Sequence, residues 1–533
     1  MIKYRIILIL ILILAFTLRT YRINNQGLFL HDEGAFLLVI KTPYQAINWL
    51  RENISSNKSI KFKELTDYLA HEGGIVSNDA KPGYFLVFLL LSFFTKLADF
   101  SGKLLSAIFG VLSVFFLYKL VSNLYSKRLG LLSAFLLSIL SLHVFYSRLG
   151  IANEIASCLC ILSLYFYEKS IKFSNLSRNL IFCGLALSYA FTCHYYVFYQ
   201  LLLIIFYELF VYKRIILKRM VLFLVGFLCF PILFEVPSRL ITVYLKALPF
   251  ISTYNIPILS YSEQLILQFF KRLHYEPFYS FFLFPKLFFY FNGFVFSICL
   301  VAGLIILIVS MGKKENPILS NIIILSQFLV PIILWTTFKY QVGRNFVIVF
   351  PYTGVILAIF IEKLFFVKEI SPNFPKKPLK KVILWVSLLI FLILGIKNSY
   401  YRAIDISSGY KQAIISNLRG ASHISTQDPI SQFYVGMDNS SYPKGRNIKE
   451  LMIYAKNRGF NWLLTDYNKY SKRYKIVLEL EKHLSPIAIC DNNIGKHLGI
   501  LHEVYPHATL RKIIHKQDLS KIKIYKLTPS LIN

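Results

Sequence analysis

The chain has 533 residues, 56% hydrophobic and 16% charged, with a formal net charge of +32. Apolar runs near the roughly 20 residues that cross a bilayer exclude a soluble enzyme, and the want of a two-residue alternation in them excludes a transmembrane barrel. The charge does not mark a nucleic-acid binder: Lys and Arg gather in short loops between apolar runs, as in Tyr212-Lys213-Arg214 and Lys376-Lys377, the pattern of cytoplasmic loops in membrane proteins.

The N-terminal run MIKYRIILILILILAFTLRT has a cationic start and an apolar centre, but Arg19-Thr20-Tyr21-Arg22 follows in place of a small-residue cleavage site. It reads as an uncleaved first span with a cytoplasmic N-terminus. Further apolar segments lie near 84–98, 104–121, 130–146, 154–167, 179–193, 196–211, 216–234, 285–310, 318–336, 345–366 and 382–397. As a helix, the segment at 84–98 rises only about 22 Å, short of a hydrocarbon core of ~30 Å. If it lies along the surface, Lys127, Arg128, Lys169, Lys172, Arg178, Lys213, Arg214, Lys218, Arg219, Lys313, Lys314, Lys368, Lys376, Lys377, Lys380 and Lys381 share the inner side. The short outer loops then keep Arg148, Lys339 and Arg344. If it crosses, the bias is inverted. Positive-inside counting therefore predicts eleven spans and one interfacial helix.

The expected architecture is an all-α polytopic membrane domain over 1–397, with juxtamembrane helices in a first outer loop at 22–103, and a small extracytoplasmic α/β domain over 398–533. In that tail SGYKQAIISNLR and RNIKELMIYAKNRG have helical spacing, whereas FNWLLTD, PIAICDN and KIKIYKL read as strands. The loop 235–284, rich in aromatics, exceeds a plain connector and reads as an acceptor-binding lid. Cys158, Cys160, Cys183, Cys193, Cys229 and Cys299 fall in or beside apolar segments, and Cys490 is alone in a polar region. Neither a disulfide nor a zinc cluster is expected. His423, His483, His497, His502, His507 and His515 lack metal spacing and read as surface residues; Tyr195 and Tyr196 read as an outer aromatic belt, with His194 a lone histidine beside them.

On the outer face an acidic pair, Asp32-Glu33, meets the cations Lys81, Arg148, Lys339 and Arg344, all at membrane boundaries. Charges at that depth need partners or a task. An acid to deprotonate a nucleophile, with cations to hold a phosphate, fits a reaction on an anionic lipid. Adjacent carboxylates do not make a glycosidase pair, which must flank the scissile bond. A sugar phosphate removes the need for a second carboxyl, because its leaving group is already weakly basic.

The motif His31-Asp32-Glu33-Gly34-Ala35-Phe36 after the first span resembles that of the C-type glycosyltransferases, with the protein O-mannosyltransferases and lipid A aminoarabinose transferases as the nearer likeness. Lys81-Pro82-Gly83-Tyr84 resembles their element opening a juxtamembrane helix. Phe338-Lys339-Tyr340-Gln341-Val342-Gly343-Arg344-Asn345 with Phe350-Pro351 resembles a late span of the family, and Ser425-Thr426-Gln427-Asp428-Pro429 its bacterial outer domain. The resemblance implies transfer, with inversion, from a polyprenyl-phosphate sugar such as an undecaprenyl-phosphate donor in a bacterial inner membrane. The acceptor would be a glycan, lipid A or other lipid, or a protein. It implies Asp32 as general base, Glu33 as its helper, and Lys81 and Arg344 on the donor phosphate with Arg148 and Lys339. His31, Tyr84, Asn153 and Glu154 stand as supporting residues. Ala35 and Phe36 occupy the neighbourhood where many relatives carry an Arg, and Asn153-Glu154 stands where many carry an Asp. No metal or other cofactor is expected: one acid pair with scattered His is a poor cation cage. The competing readings are a transporter or flippase of lipid-linked saccharides, which predicts inverted repeats that the sequence does not display, and a scaffold without catalysis.

Overall fold

The computed structural model describes residues 2–56, 80–172, 176–211, 217–246, 259–272, 279–312, 318–335, 342–366, 377–436, 438–470, 474–495, 497 and 520–527. Every predicted apolar segment carries helix. In chain order the first helices are α1 (Ile2–Thr20), α2 (His31–Ser55), α3 (Pro82–Thr95), α4 (Ser101–Leu124), α5 (Lys127–Ile139), α6 (Ser141–Tyr146), α7 (Asn153–Lys172) and α8 (Leu176–Cys193). There follow α9 (Phe198–Phe206), α10 (Leu217–Lys246), α11 (Tyr261–Arg272), α12 (Tyr279–Met311), α13 (Ile318–Leu334), α14 (Phe350–Phe366) and α15 (Lys377–Ser399).

Among the described residues six helical stretches are long and apolar enough to cross a membrane: Ile2–Asn25, Ser101–Leu124, Leu217–Val243, Phe282–Met311, Gly343–Phe365 and Val382–Ile404. α3, Tyr195–Phe210 and α13 are apolar but shorter. Outward faces keep large apolar side chains uncovered, among them Leu10, Ile13, Leu240 and Trp385. That is the surface a lipid phase covers. Inside, small residues let backbones approach: a Cβ on Gly184 of α8 would stand 2.8 Å from the backbone N of Phe227 in α10.

The local sequence explains two interruptions. Leu140 leaves helical geometry between α5 and α6 (φ −68°, ψ 107°), splitting the segment expected at 130–146. Its freed carbonyls are taken up by a buried arginine: Arg19 donates to Leu137 O (3.3 Å) and Ser138 O (3.1 Å). Gly293 bends α12 with φ 83°, a conformation that favours glycine.

Two expectations need correction here. The stretch 235–284 is not one loop, because α10 runs on through Pro237 to Lys246 and α11 follows; the remainder, 247–258 and 273–278, lies outside the described residues. Glu235 ties the two helices: it accepts from Arg239 Nε (2.8 Å) and from Ser262 N (2.7 Å). His423 is not on the surface but fully buried, its Nδ1 2.8 Å from Ala421 O, and burial lowers its proton affinity below the usual imidazole range. His502, His507 and His515 lie outside the described residues.

Helical backbone continues past the expected boundary at 397 into a wide turn over Tyr400–Ile404. Beyond it are β1 (His423–Ser425), α16 (Asp428–Val435), β2 (Ser440–Ser441), α17 (Ile448–Asn457), β3 (Trp462–Thr465), α18 (Lys475–Leu480), β4 (Ala488–Asp491) and β5 (Lys521–Lys526). The strand order is β2-β1-β3-β5-β4. β1 is parallel to β2 and to β3 (Ile424 opposite Leu463), and β5 is antiparallel to β3 and β4. Leu464, Ile522 and Ile524 on one face join the apolar core of the helical domain. Ile424, Leu463 and Tyr525 on the other pack with Leu451 and Val477 of α17 and α18.

Candidate active site

The sequence HDEG opens α2, and its two acids part at once. Glu33 stands three residues into the helix and folds back on it: Oε2 accepts from Phe29 N (2.6 Å) and Leu30 N (3.0 Å), the reach-back half of a capping box. Its other oxygen, Oε1, accepts from Gly150 N (2.7 Å). Lys103 Nζ lies 3.9 Å from the same carboxylate, donates to Gly27 O and sits 3.5 Å from the Phe29 ring centre. Glu33 and Lys103 are both buried, so this acid holds structure and does not face a substrate.

Asp32 points the other way. Its Oδ2 accepts from Arg344 Nη1 at 2.5 Å, a contact between residues 312 apart in sequence. The side chains stay 28% and 15% exposed, which leaves this ion pair within reach of an incoming group. Arg344 lies in a tight helical turn, Gly343–Val349, that leads into α14. Its carbonyl accepts from Asn153 Nδ2 (3.1 Å), so Asn153 acts on the site through the backbone of Arg344. Half-buried Lys81 stands at the residue before α3, whose first residue, Pro82, has no N–H to satisfy. Its ammonium rests 4.6 Å from the ring centre of Phe36, one helical turn beyond Asp32. His31 is exposed, with Tyr442 OH 3.2 Å from its Nδ1. Tyr84 is buried and donates to Gly150 O (3.0 Å). Lys339 lies outside the described residues.

Two expected site residues are placed away from this opening. Arg148 is buried and donates to Leu18 O (3.1 Å) and Tyr21 O (2.9 Å), the open carbonyls where α1 ends. Glu154 is fully buried, with Oε1 2.8 Å from His143 Nε2. His143 Nδ1 takes a hydrogen bond from Arg19 (2.6 Å). A guanidinium only donates, so Nδ1 accepts and the ring proton on Nε2 faces Glu154. Arg19, Lys103, His143 and Gly150 were not singled out from the sequence. The available signal was position, since each charged one sits at a helix end or break inside an apolar chain.

Among the described residues no three His, Cys, Asp or Glu side chains gather to hold a metal ion. Asp32 faces a guanidinium, Glu33 is saturated by N–H donors, and Glu154 faces His143.

An apolar cavity of about 200 Å³ lies between α12 and α13, with Phe284, Pro285, Phe288, Phe328 and Ile332 in its wall. Phe284 and Trp335 both pack on Phe346, two residues from Arg344.

Residues 80–236 match the family described as dolichyl-phosphate-mannose-protein mannosyltransferase. Among solved structures the chain is similar to ArnT from Cupriavidus metallidurans bound to undecaprenyl phosphate, with a TM-score of 0.57 and 11% identity over 98% of each chain. It is also similar to the archaeal oligosaccharyltransferase AglB from Archaeoglobus fulgidus in complex with an inhibitory peptide and a dolichol-phosphate, with a TM-score of 0.57 and 10% identity over 89% of this chain and 70% of that one. A structure of the Archaeoglobus enzyme with Zn and sulfate gives a TM-score of 0.51 and 11% identity over 88% and 68%. No curated protein sequence matches the chain. At these identities the likeness is one of fold, and the fold is that of ArnT and AglB.

The two acids predict different losses. Glu33→Gln leaves Lys103 buried without its counter-charge, and we expect it to lower stability by about 3–5 kcal/mol. Thermal unfolding in detergent measures this; an unchanged midpoint would show that the carboxylate is not what holds the loop.

Proposed function

We propose that this protein is a membrane glycosyltransferase that moves a sugar from a polyprenyl phosphate to an acceptor on the outer side of a bacterial inner membrane. The observation that carries the reading is the Asp32–Arg344 pair, one carboxylate and one guanidinium, both partly exposed, with Lys81 resting on Phe36 one turn along α2 from Asp32. The fold likeness supports the same class, since two of the structures that the chain resembles, each at a TM-score of 0.57, are solved with undecaprenyl phosphate and with a dolichol-phosphate.

In this reading Arg344 and Lys81 take the donor phosphate. The phosphate competes with Asp32 for the Arg344 guanidinium and frees the carboxylate oxygen for the acceptor. The acceptor's hydroxyl or amine attacks the anomeric carbon from the face opposite the phosphate, and Asp32 receives its proton. The sugar–oxygen bond breaks, its electron pair leaves on the polyprenyl phosphate, and the anomeric configuration inverts. A phosphate leaving group is weakly basic, so no second carboxyl is needed as general acid. The cavity walled by Phe284, Phe288 and Phe328 gives the lipid chain an apolar place that reaches, through Phe346, to the Arg344 turn.

The orientation belongs to the same proposal. α3 has 14 residues, about 21 Å of helix, and is too short to cross alone. With α3 along the surface, eleven spans put the basic loops inside and Asp32 outside. A reporter fused after Arg219 should then read cytoplasmic; an outer-side signal there would invert the topology and sink the eleven-span arrangement.

The chemistry is tested by turnover of a radiolabelled polyprenyl-phosphate sugar. Asp32→Asn should abolish transfer while expression and unfolding temperature hold, and full activity would remove Asp32 from the mechanism. In the same assay Lys81→Ala should raise the apparent donor constant; an unaltered constant would count against phosphate binding by Lys81.

A further inference from the structure

The small sheet has a feature that open parallel sheets use for ligands. Chains leave the carboxyl ends of β1 and β3 in opposite directions, towards β2 on one side and, past β5, towards β4 on the other. Such a switch point opens a crevice. Here it is lined by Thr426, Gln427, Asp466 and Tyr467, all buried. Asp466 Oδ1 accepts from Thr426 Oγ1 (2.6 Å) and Asn468 N (2.9 Å), and Oδ2 accepts from the Tyr410 hydroxyl. This network fixes the strand ends from behind.

What fills the crevice is the chain's own first outer loop. Gln427 Nε2 donates to Tyr467 OH (3.1 Å), and that hydroxyl donates to Phe29 O (3.4 Å), three residues before Asp32. The N–H of the same Phe29 is held by Glu33, so both sides of that residue are gripped. Just beyond Asp32, Gly34 lies against the start of α16, where an added Cβ would come 2.6 Å from Ile430 N. His31 meets Tyr442. Further back, Ser408 N donates to Gln26 O (2.8 Å), and Gln26 Nε2 donates to Ala403 O (2.9 Å). Contacts from the outer domain thus fall on both sides of Asp32.

We propose that the C-terminal domain is a clamp on the catalytic segment, with Tyr467 as a positioning residue that sets Asp32 through the Phe29 carbonyl. The ligand edge of the sheet is occupied from within, so the acceptor is not bound at that edge. The activity arm of the test rests on the function proposed above; the exchange arm does not.

Tyr467→Phe in the full-length protein keeps the ring in place and removes only the hydroxyl. Hydrogen–deuterium exchange over residues 26–34 should quicken in this variant, while exchange over α4 and the unfolding midpoint stay near wild type. Turnover should fall by about ten- to a hundred-fold in kcat, with donor and acceptor KM unchanged. Unchanged exchange over 26–34 overturns the clamp. So does a raised acceptor KM with kcat intact, which would make the edge an acceptor site. If Asp32→Asn were itself fully active, the base assignment would fall, and the exchange result would still decide the clamp.

Discussion

The site depends on one buried carboxylate. Moving a charge out of water is expensive unless donors replace the water. Glu33 meets that requirement with three backbone N–H groups and one buried ammonium. Those donors come from three places, the loop before α2, the turn after α6 and Lys103 in α4, and so the charge can be satisfied only when the three are brought together. The turn is itself a junction. Arg148 fastens it to the end of α1, Ser106 Oγ donates to Ile151 O (3.1 Å) from α4, and Asn153 carries the constraint to Arg344. Arg344 can meet Asp32 because this frame is closed.

Neighbours on a helix are about 100° apart, and that rotation separates structure from chemistry in Asp32-Glu33. The charges elsewhere divide in the same way. Arg19, Arg148 and Lys103 are all buried; the first two donate to carbonyls left open where a helix ends or breaks, and Lys103 donates to the loop carbonyl of Gly27 ahead of α2. Such groups are costly inside a membrane unless satisfied, and here they serve as fasteners. Asp32, Arg344 and Lys81 keep part of their surface open. Exposure at the rim distinguishes a charge available to a substrate from one consumed by the fold.

That distinction limits what the sequence could tell. The apolar segments were legible because a helix in lipid needs a long run of apolar side chains, and the Asp32 and Lys81-Pro82 elements stood out as charge and proline against that background. Arg148 was assigned to phosphate because a cation at a boundary looks the same whether it faces a headgroup or the open carbonyls of Leu18 and Tyr21; only the path of α1 decides. The span ending at Glu235 looked complete, yet the helix continues because Glu235 finds Arg239 one turn on and Ser262 across the gap. β1 and β2, with three and two residues, are too short for a two-residue period to register. His423 looked superficial in a polar context, but it occupies a strand flanked on both sides.

Asn153-Glu154 sharpens the remaining question of the second acid. In the resemblance an acid stands near this place. Here Asn153 turns to the Arg344 backbone, while Glu154 faces His143 and, behind it, Arg19 in the interior. Exchanging the two residues would do more than restore an acid to the rim. It would take the counter-charge from beside His143 and Arg19, and it would leave the Arg344 carbonyl facing a carboxylate, acceptor against acceptor. The order of the pair is therefore fixed by the inner cluster as much as by the site. Among the described residues that packing leaves Asp32 as the partly exposed carboxylate of the site, and one suffices for the proposed reaction, whose leaving group departs without a proton.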